Sequence, residues 1–142
     1  SCRFGTIFGT SIGMRFHTAV NKFCWQAVMG QPITVWRTAL NQKRPYLDLK
    51  DAVNAIRFII QKDLFDGGVY NILTTNTTVG EIINIISSYI PDISIELVDT
   101  KIMNQLSYCV SNERFIKNGF EFKGSIERGI KETVYLLKNA IP

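Results

Sequence analysis

Lys43-Arg44-Pro45-Tyr46-Leu47-Asp48-Leu49-Lys50-Asp51-Ala52 is the stretch whose reading decides the fold. Pro45 to Leu49 reads as a short strand, aromatic and apolar, with its proline at the first position, where a missing N–H does least harm. Asp51 stands where an N-cap carboxylate would take the free amides of a first helical turn. Ala52, Val53, Ile56, Ile59 and Ile60 then recur at helical spacing, and Gly67-Gly68 ends the unit. A strand running directly into an amphipathic helix is one step of an alternating α/β chain.

The same alternation extends in both directions. Upstream, Cys2 to Phe8 is a β-prone run closed by Gly9, and Gly13 precedes a helix carrying Phe16, Val20, Phe23, Ala27 and Val28. Gly30 is placed to stop that helix, and after Pro32 the run Ile33-Thr34-Val35-Trp36 reads as a strand. Downstream, Val69 to Leu73 is a strand, and Thr78 with Glu81 forms a capping box for a helix through Ile82, Ile83, Ile86 and Tyr89. Beyond the Pro91-Asp92 break, Ile93 to Val98 alternates as a strand with one face exposed. Leu106 to Val110 reads as extended and Asn112 to Lys117 as a short helix. Ser125 caps a last helix with Ile126, Ile130, Val134 and Leu137 on one face. The fold class is α/β with a largely parallel sheet.

Composition narrows the function classes. The chain has 142 residues, 46% hydrophobic and 20% charged, which fits one core that needs no disulfide or metal staple. Apolar runs such as Phe58-Ile59-Ile60 fall far short of the roughly 20 residues that cross a bilayer, so no membrane partner is expected. The net charge of +4 is scattered, with Lys43-Arg44 the sole adjacent basic pair. That pattern suits a small phosphorylated ligand better than nucleic acid. Cys2, Cys24 and Cys109 are odd in number and set among apolar residues, as reduced thiols in the cytoplasm would be. His17 has no second ligand at metal-binding spacing, so no metal site is expected, and it reads as a surface or helix-start residue. Nucleophile-elbow, Walker and dinucleotide Gly-rich patterns are absent, leaving no self-contained catalytic set. The chain opens on Ser1-Cys2-Arg3-Phe4, with neither Met nor a signal peptide, and is expected to be a fragment.

What remains is a set of polar residues at strand ends and loop edges, where open α/β sheets hold ligands: Arg3, Thr6, Asn21, Arg44, Lys101 and Tyr108. Taken singly, each is more often a solvated or capping residue.

Taken in order, the segments resemble a family. Arg3-Phe4-Gly5-Thr6-Ile7-Phe8-Gly9-Thr10 is similar to the strand and turn of extended short-chain dehydrogenases/reductases, the NAD-dependent epimerase/dehydratase family acting on nucleotide sugars. Gly30-Gln31-Pro32-Ile33-Thr34-Val35-Trp36 resembles its strand after the substrate-domain helix, and Lys43 to Ala52 its Arg-containing strand-to-helix segment. Gly68-Val69-Tyr70-Asn71-Ile72 resembles its last dinucleotide-domain strand. Gly119-Phe120-Glu121-Phe122-Lys123 with Ser125 to Ile130 resembles its closing segment.

The resemblance implies that residues 1–142 are a single unit, the C-terminal portion of a Rossmann-type enzyme. That portion comprises the small α/β substrate-binding domain and the last strands of the dinucleotide sheet. The Gly-rich turn and the Tyr-x-x-x-Lys set of the family would lie upstream, so this chain would hold no catalytic residue and be inactive alone. NAD(H) or NADP(H) would serve the intact enzyme and bind the fragment little or not at all. Phe4 would approach the nicotinamide and Thr6 the sugar. Asn21, with Thr18 as the alternative position, would meet the diphosphate region. Thr34 and Trp36 would border the base, Arg44 would hold the diphosphate with its planar fork, and Lys101, three residues before Asn104, would add a point charge. Tyr108 would be structural. The implied partner is a nucleotide sugar. Open edges on Cys2–Phe8 and Val69–Leu73 would favour a homo-oligomer. Two alternatives stay open: a reductase of a non-nucleotide substrate and a stand-alone binding module.

Overall fold

A computed structural model describes residues 1–99 and 107–140. The central strand is β4 (Lys43–Asp48), flanked by β2 (Thr6–Phe8) in parallel and β6 (Thr75–Thr78) in antiparallel register. Two further parallel pairs complete the strands: β1 (Cys2–Phe4) with β5 (Tyr70–Ile72), and β3 (Ile33–Trp36) with β7 (Ile95–Val98). The helices are α1 (Ala19–Val28), α2 (Leu49–Gln61), α3 (Val79–Tyr89), α4 (Glu113–Ile116) and α5 (Ile126–Ala140), and a 3-10 turn covers Arg37–Ala39.

The α/β class holds, with the strands divided among small sheets. Cys2–Phe8, read as one strand, breaks at Gly5. The Gly5 N–H still donates to the Ile72 carbonyl at 2.9 Å, yet a Cβ at Gly5 would lie 3.1 Å from the carbonyl of Pro45. A side chain there would press on the Pro45 backbone where the chain passes from β5 onto β4, and glycine avoids that contact. Strand β6 is an element the sequence reading did not separate from the capping box that follows it. The box itself is present: Thr78 Oγ1 accepts from the Glu81 N–H, and Glu81 accepts from the Thr78 N–H.

Helix α2 starts earlier than expected, because Asp48 and not Asp51 is its N-cap. The Asp48 carboxylate accepts from the Lys50 N–H at 2.8 Å. Asp51 is instead buried, accepting from the backbone N–H groups of Lys123 and Gly124 and from the Thr74 hydroxyl. Helix α1 starts after Thr18, later than its apolar pattern suggested, and Gly30 follows its end with positive φ. Strand β7 does not bury one face: Ile95 and Leu97 are 48% and 37% exposed, and Glu96 is exposed as well. Ser125 caps α5 through an N–H···O bond from Arg128.

The apolar interior lies in two clusters on opposite faces of β4, as the alternation of a strand requires. Tyr46 faces a cluster in which Phe8, Phe23, Ile33, Ile82, Ile86 and Ile130 join α1, α3 and α5. Leu47 faces the other, where Ala55, Tyr70 and Ile72 meet Phe115 and Phe120, whose rings lie 4.8 Å apart. The expectation of one core thus becomes two layers sharing a strand.

Two predictions come from this packing. A Cβ at Gly129 of α5 would run into the ring of fully buried Phe8. Gly129→Ala is expected to destabilise by about 1–3 kcal/mol in urea denaturation, although alanine in an open helix would stabilise by about 1 kcal/mol. Burial pushes the Cys24 thiol up to about 12, whereas Cys2 and Cys109 are exposed. A thiol reagent at pH 8 should titrate two cysteines in the native protein and the third only in denaturant.

Candidate functional site

Where α1, β3 and the start of β4 converge, they leave a cavity of about 370 Å³. Strand β2 contributes Thr6, the approach to α1 contributes His17, and α1 itself contributes Lys22 and Phe23. Strand β3 adds Thr34 and Trp36, and Gln42, Arg44 and Tyr46 line the opposite side. Four residues named from the sequence therefore meet here: Thr6, Thr34, Trp36 and Arg44. Phe4 and Asn21 are not among its lining residues. Phe4 lines a separate groove with Arg3, Pro45, Asn71 and Tyr108. Asn21 lines a recess under residues 9–15 that shares Thr6 and His17 with the cavity. Lys101 and Asn104 lie outside the described residues.

The cavity is electropositive. Arg44 and Lys22 line it, and no carboxylate stands among its described lining residues. The Arg44 guanidinium donates to Gln42 Oε1 at 3.1 Å and to its neighbour's carbonyl at 3.3 Å, and it lies over the Tyr108 ring at 4.8 Å. Such a stack fixes the plane of the guanidinium while leaving it charged. Burial raises the Tyr46 phenol above its ordinary range and the Arg44 charge offsets part of that, so Tyr46 is a neutral donor at pH 7. Trp36 turns 44% of its surface to solvent at the cavity wall, offering a partly open apolar plane.

Thr34 is held from behind. Lys22 Nζ donates to its hydroxyl at 3.1 Å, and Gln26 Nε2 does so at 3.3 Å while also donating to the Pro32 carbonyl at 2.9 Å. Gln26 Oε1 is buried with no partner among the described residues, an arrangement that costs about 1–3 kcal/mol. Two cations and an indole in the described lining suit an anion with an attached flat ring. Among the described residues there is no cluster of three His, Cys, Asp or Glu side chains able to hold a metal. No described helix is long and apolar enough to cross a membrane.

Residues 1–72, which carry most of this cavity, match the NAD dependent epimerase/dehydratase family. The chain belongs to that family. A curated relative, the chloroplastic UDP-sulfoquinovose synthase of Spinacia oleracea, is 44% identical over 45 residues, covering 32% of this chain and 9% of that protein. Among solved structures, the Thermus thermophilus UDP-glucose 4-epimerase complex with NAD superposes at a TM-score of 0.82 with 20% identity, covering 99% of this chain and 47% of that one. The Bacillus cereus UDP-glucuronic acid 4-epimerase, in complex with UDP-glucuronic acid and NAD, gives 0.84 and 15%, covering 97% and 44%. A dTDP-glucose 4,6-dehydratase from Bacillus anthracis in complex with NAD gives 0.81 and 22%, covering 99% and 44%. The fold is that of the extended epimerases and dehydratases, and the chain spans less than half the length of these structures.

For a chain of this family, the sequence reading missed Lys22, Gln26, Gln42 and Tyr46, and it set His17 aside. A signal for two of them was present: Lys22 and Gln26 are four apart, so they project from one helix face, and Gln26 is a polar residue inside an apolar run. Asn21 is engaged by backbone groups of the loop before α1. It is buried, its Oδ1 accepts from the Gly9 N–H at 3.3 Å, and its Nδ2 donates to the Arg15 carbonyl at 3.2 Å. Those bonds span the loop between β2 and α1. Asn21→Ala should cost about 1–2 kcal/mol of stability and speed proteolysis in residues 9–15, while changing nucleotide affinity less than about threefold; a large affinity loss with unchanged stability would reverse this assignment.

Proposed function

We propose that residues 1–142 form the substrate-binding C-terminal portion of an NAD-dependent nucleotide-sugar epimerase or dehydratase, and that the cavity takes the nucleoside diphosphate part of its substrate. The observation that carries this reading is the meeting of Trp36, Lys22 and Arg44 in one cavity whose described lining has no carboxylate. A diphosphate seeks fixed cations, and the Arg44 fork can donate two parallel bonds to phosphate oxygens. A nucleobase seeks an apolar plane, which Trp36 offers. Thr6, which lies on the strand beside β4 and lines the cavity, would meet the sugar.

The residues present do not by themselves make a dinucleotide site. No Gly-rich turn opens any described helix onto a pyrophosphate, and Phe4 at the end of β1 is the sole candidate contact among the described residues. The proposed share of this portion is therefore binding: energy from the remote nucleotide holds the sugar in position for chemistry supplied elsewhere in the intact enzyme. Alone, the chain binds nucleotide and turns over nothing. Strand β1 pairs only with β5 among the described residues, and its free edge is available to a further strand, from the rest of the polypeptide or from a second copy.

Arg44→Ala should weaken binding of UDP-glucose, measured by calorimetry on the 142-residue chain, by about tenfold or more. Arg44→Lys should recover only part of that loss, because a point charge cannot replace the fork. Unchanged affinity in Arg44→Ala would overturn the reading.

A further inference from the structure

The hydroxyl of Thr34 is held in a single hydrogen-bonding polarity. A threonine hydroxyl carries one proton and two acceptor positions. Lys22 Nζ fills one acceptor position at 3.1 Å and Gln26 Nε2 the other at 3.3 Å. Neither an ammonium nor an amide nitrogen accepts in return, so the Thr34 proton finds no acceptor in the two groups that donate to it, and Thr34 lines the cavity. Gln26 cannot turn over to offer its oxygen. Its second amide hydrogen is committed to the Pro32 carbonyl at 2.9 Å, and a flipped side chain would set two carbonyl oxygens face to face. The buried Gln26 Oε1, without a partner among the described residues, is the trace of that constraint. An orphaned acceptor persists here because the opposite end of the same amide must donate twice.

We infer that Gln26 and Lys22 make Thr34 an obligate donor, so that the cavity reads a keto oxygen on the nucleobase and rejects an exocyclic amine in its place. This rests on the nucleoside diphosphate reading above. Thr34 and Trp36 are two residues apart on β3 and therefore project from the same face, about 7 Å apart along the strand. A ring lying on Trp36 presents its edge to Thr34. A 4-oxo pyrimidine brings an acceptor to the waiting O–H, with the Lys22 ammonium beside it. A 4-amino pyrimidine brings a second donor, and neither group is satisfied. Gln26 is a positioning residue in this scheme, acting on the ligand only through the Thr34 hydroxyl.

The test is the ratio of dissociation constants for UDP and CDP, measured by calorimetry on the full 142-residue chain and its variants. The wild-type chain should prefer UDP by about tenfold. Thr34→Ser should keep that ratio, and Thr34→Val should bring it towards one by weakening UDP. Gln26→Met should also bring it towards one, chiefly by strengthening CDP, since a freed acceptor position on Thr34 then welcomes the amine. If Gln26 only supports the fold, both ligands weaken together and the ratio stays, which overturns the inference. If Gln26→Met does not fold, the Thr34→Ser and Thr34→Val pair decides alone. Equal wild-type affinity for UDP and CDP would overturn the inference and leave the nucleotide site standing. Binding of neither nucleotide at millimolar concentration would overturn both.

Discussion

The buried carboxylate of Asp51 is the contact on which the arrangement of the chain depends. It sits in the first turn of α2, where the helix dipole favours negative charge, and it accepts from the Lys123 and Gly124 N–H groups at 3.0 Å each and from the Thr74 hydroxyl at 2.7 Å. Thr74 in turn accepts from the Asp48 N–H at 2.9 Å. Each charge-assisted bond contributes about 1.5–3 kcal/mol, and loss of the carboxylate would leave buried backbone donors without partners. The chain passes so close that a Cβ at Gly124 would come within 2.5 Å of the Asp51 carboxylate. This one acid thereby ties the segment before α5 to the end of β4, which sets where α5 begins and which face it turns to α1 and α3.

The cavity follows from the same anchor. Strand β4 ends at Asp48 and carries Tyr46 and Arg44 on alternate positions behind it, so fixing the strand's C-terminal end also fixes where the Arg44 guanidinium emerges. On the facing wall, Gln26 fastens β3 to α1 through Pro32 and Thr34. The two walls are held by independent hydrogen-bond systems, and the charge between them comes from one described residue of each, Arg44 and Lys22.

How much of this was legible in the sequence depends on the range over which each feature is determined. The Thr78–Glu81 box, the Ser125 cap and the stop at Gly30 are local, and local chemistry is visible in a string of residues. The choice between Asp48 and Asp51 as N-cap is not local. Both are acids at the mouth of the same helix, and what separates them is Gly124, distant in sequence, whose N–H claims Asp51. Gly5 likewise divides a continuous β-prone run only because Pro45 of another strand lies against it. Asn21 has the residue type of a ligand contact, and its capture by Gly9 and Arg15 appears only once the loop is folded over it. Arg44 stood out by its place at the start of a strand, whereas Thr34 and Trp36 were reached through the family resemblance, and all three line one cavity.

The division between the family-matching residues and the rest has a physical sense. Residues 1–72 include nearly all of the polar and aromatic cavity wall, while α3, α5 and the cluster around Phe115 and Phe120 supply buried apolar surface and the backbone donors that satisfy Asp51 come from the segment between them. A wall made of donors and cations repels itself and gains nothing from being empty, so it must be imposed by its surroundings. The apolar layers on both faces of β4 and the carboxylate at its end impose it. Arg44 illustrates this: the Tyr108 ring and the Gln42 amide hold the plane of its guanidinium at the cavity wall.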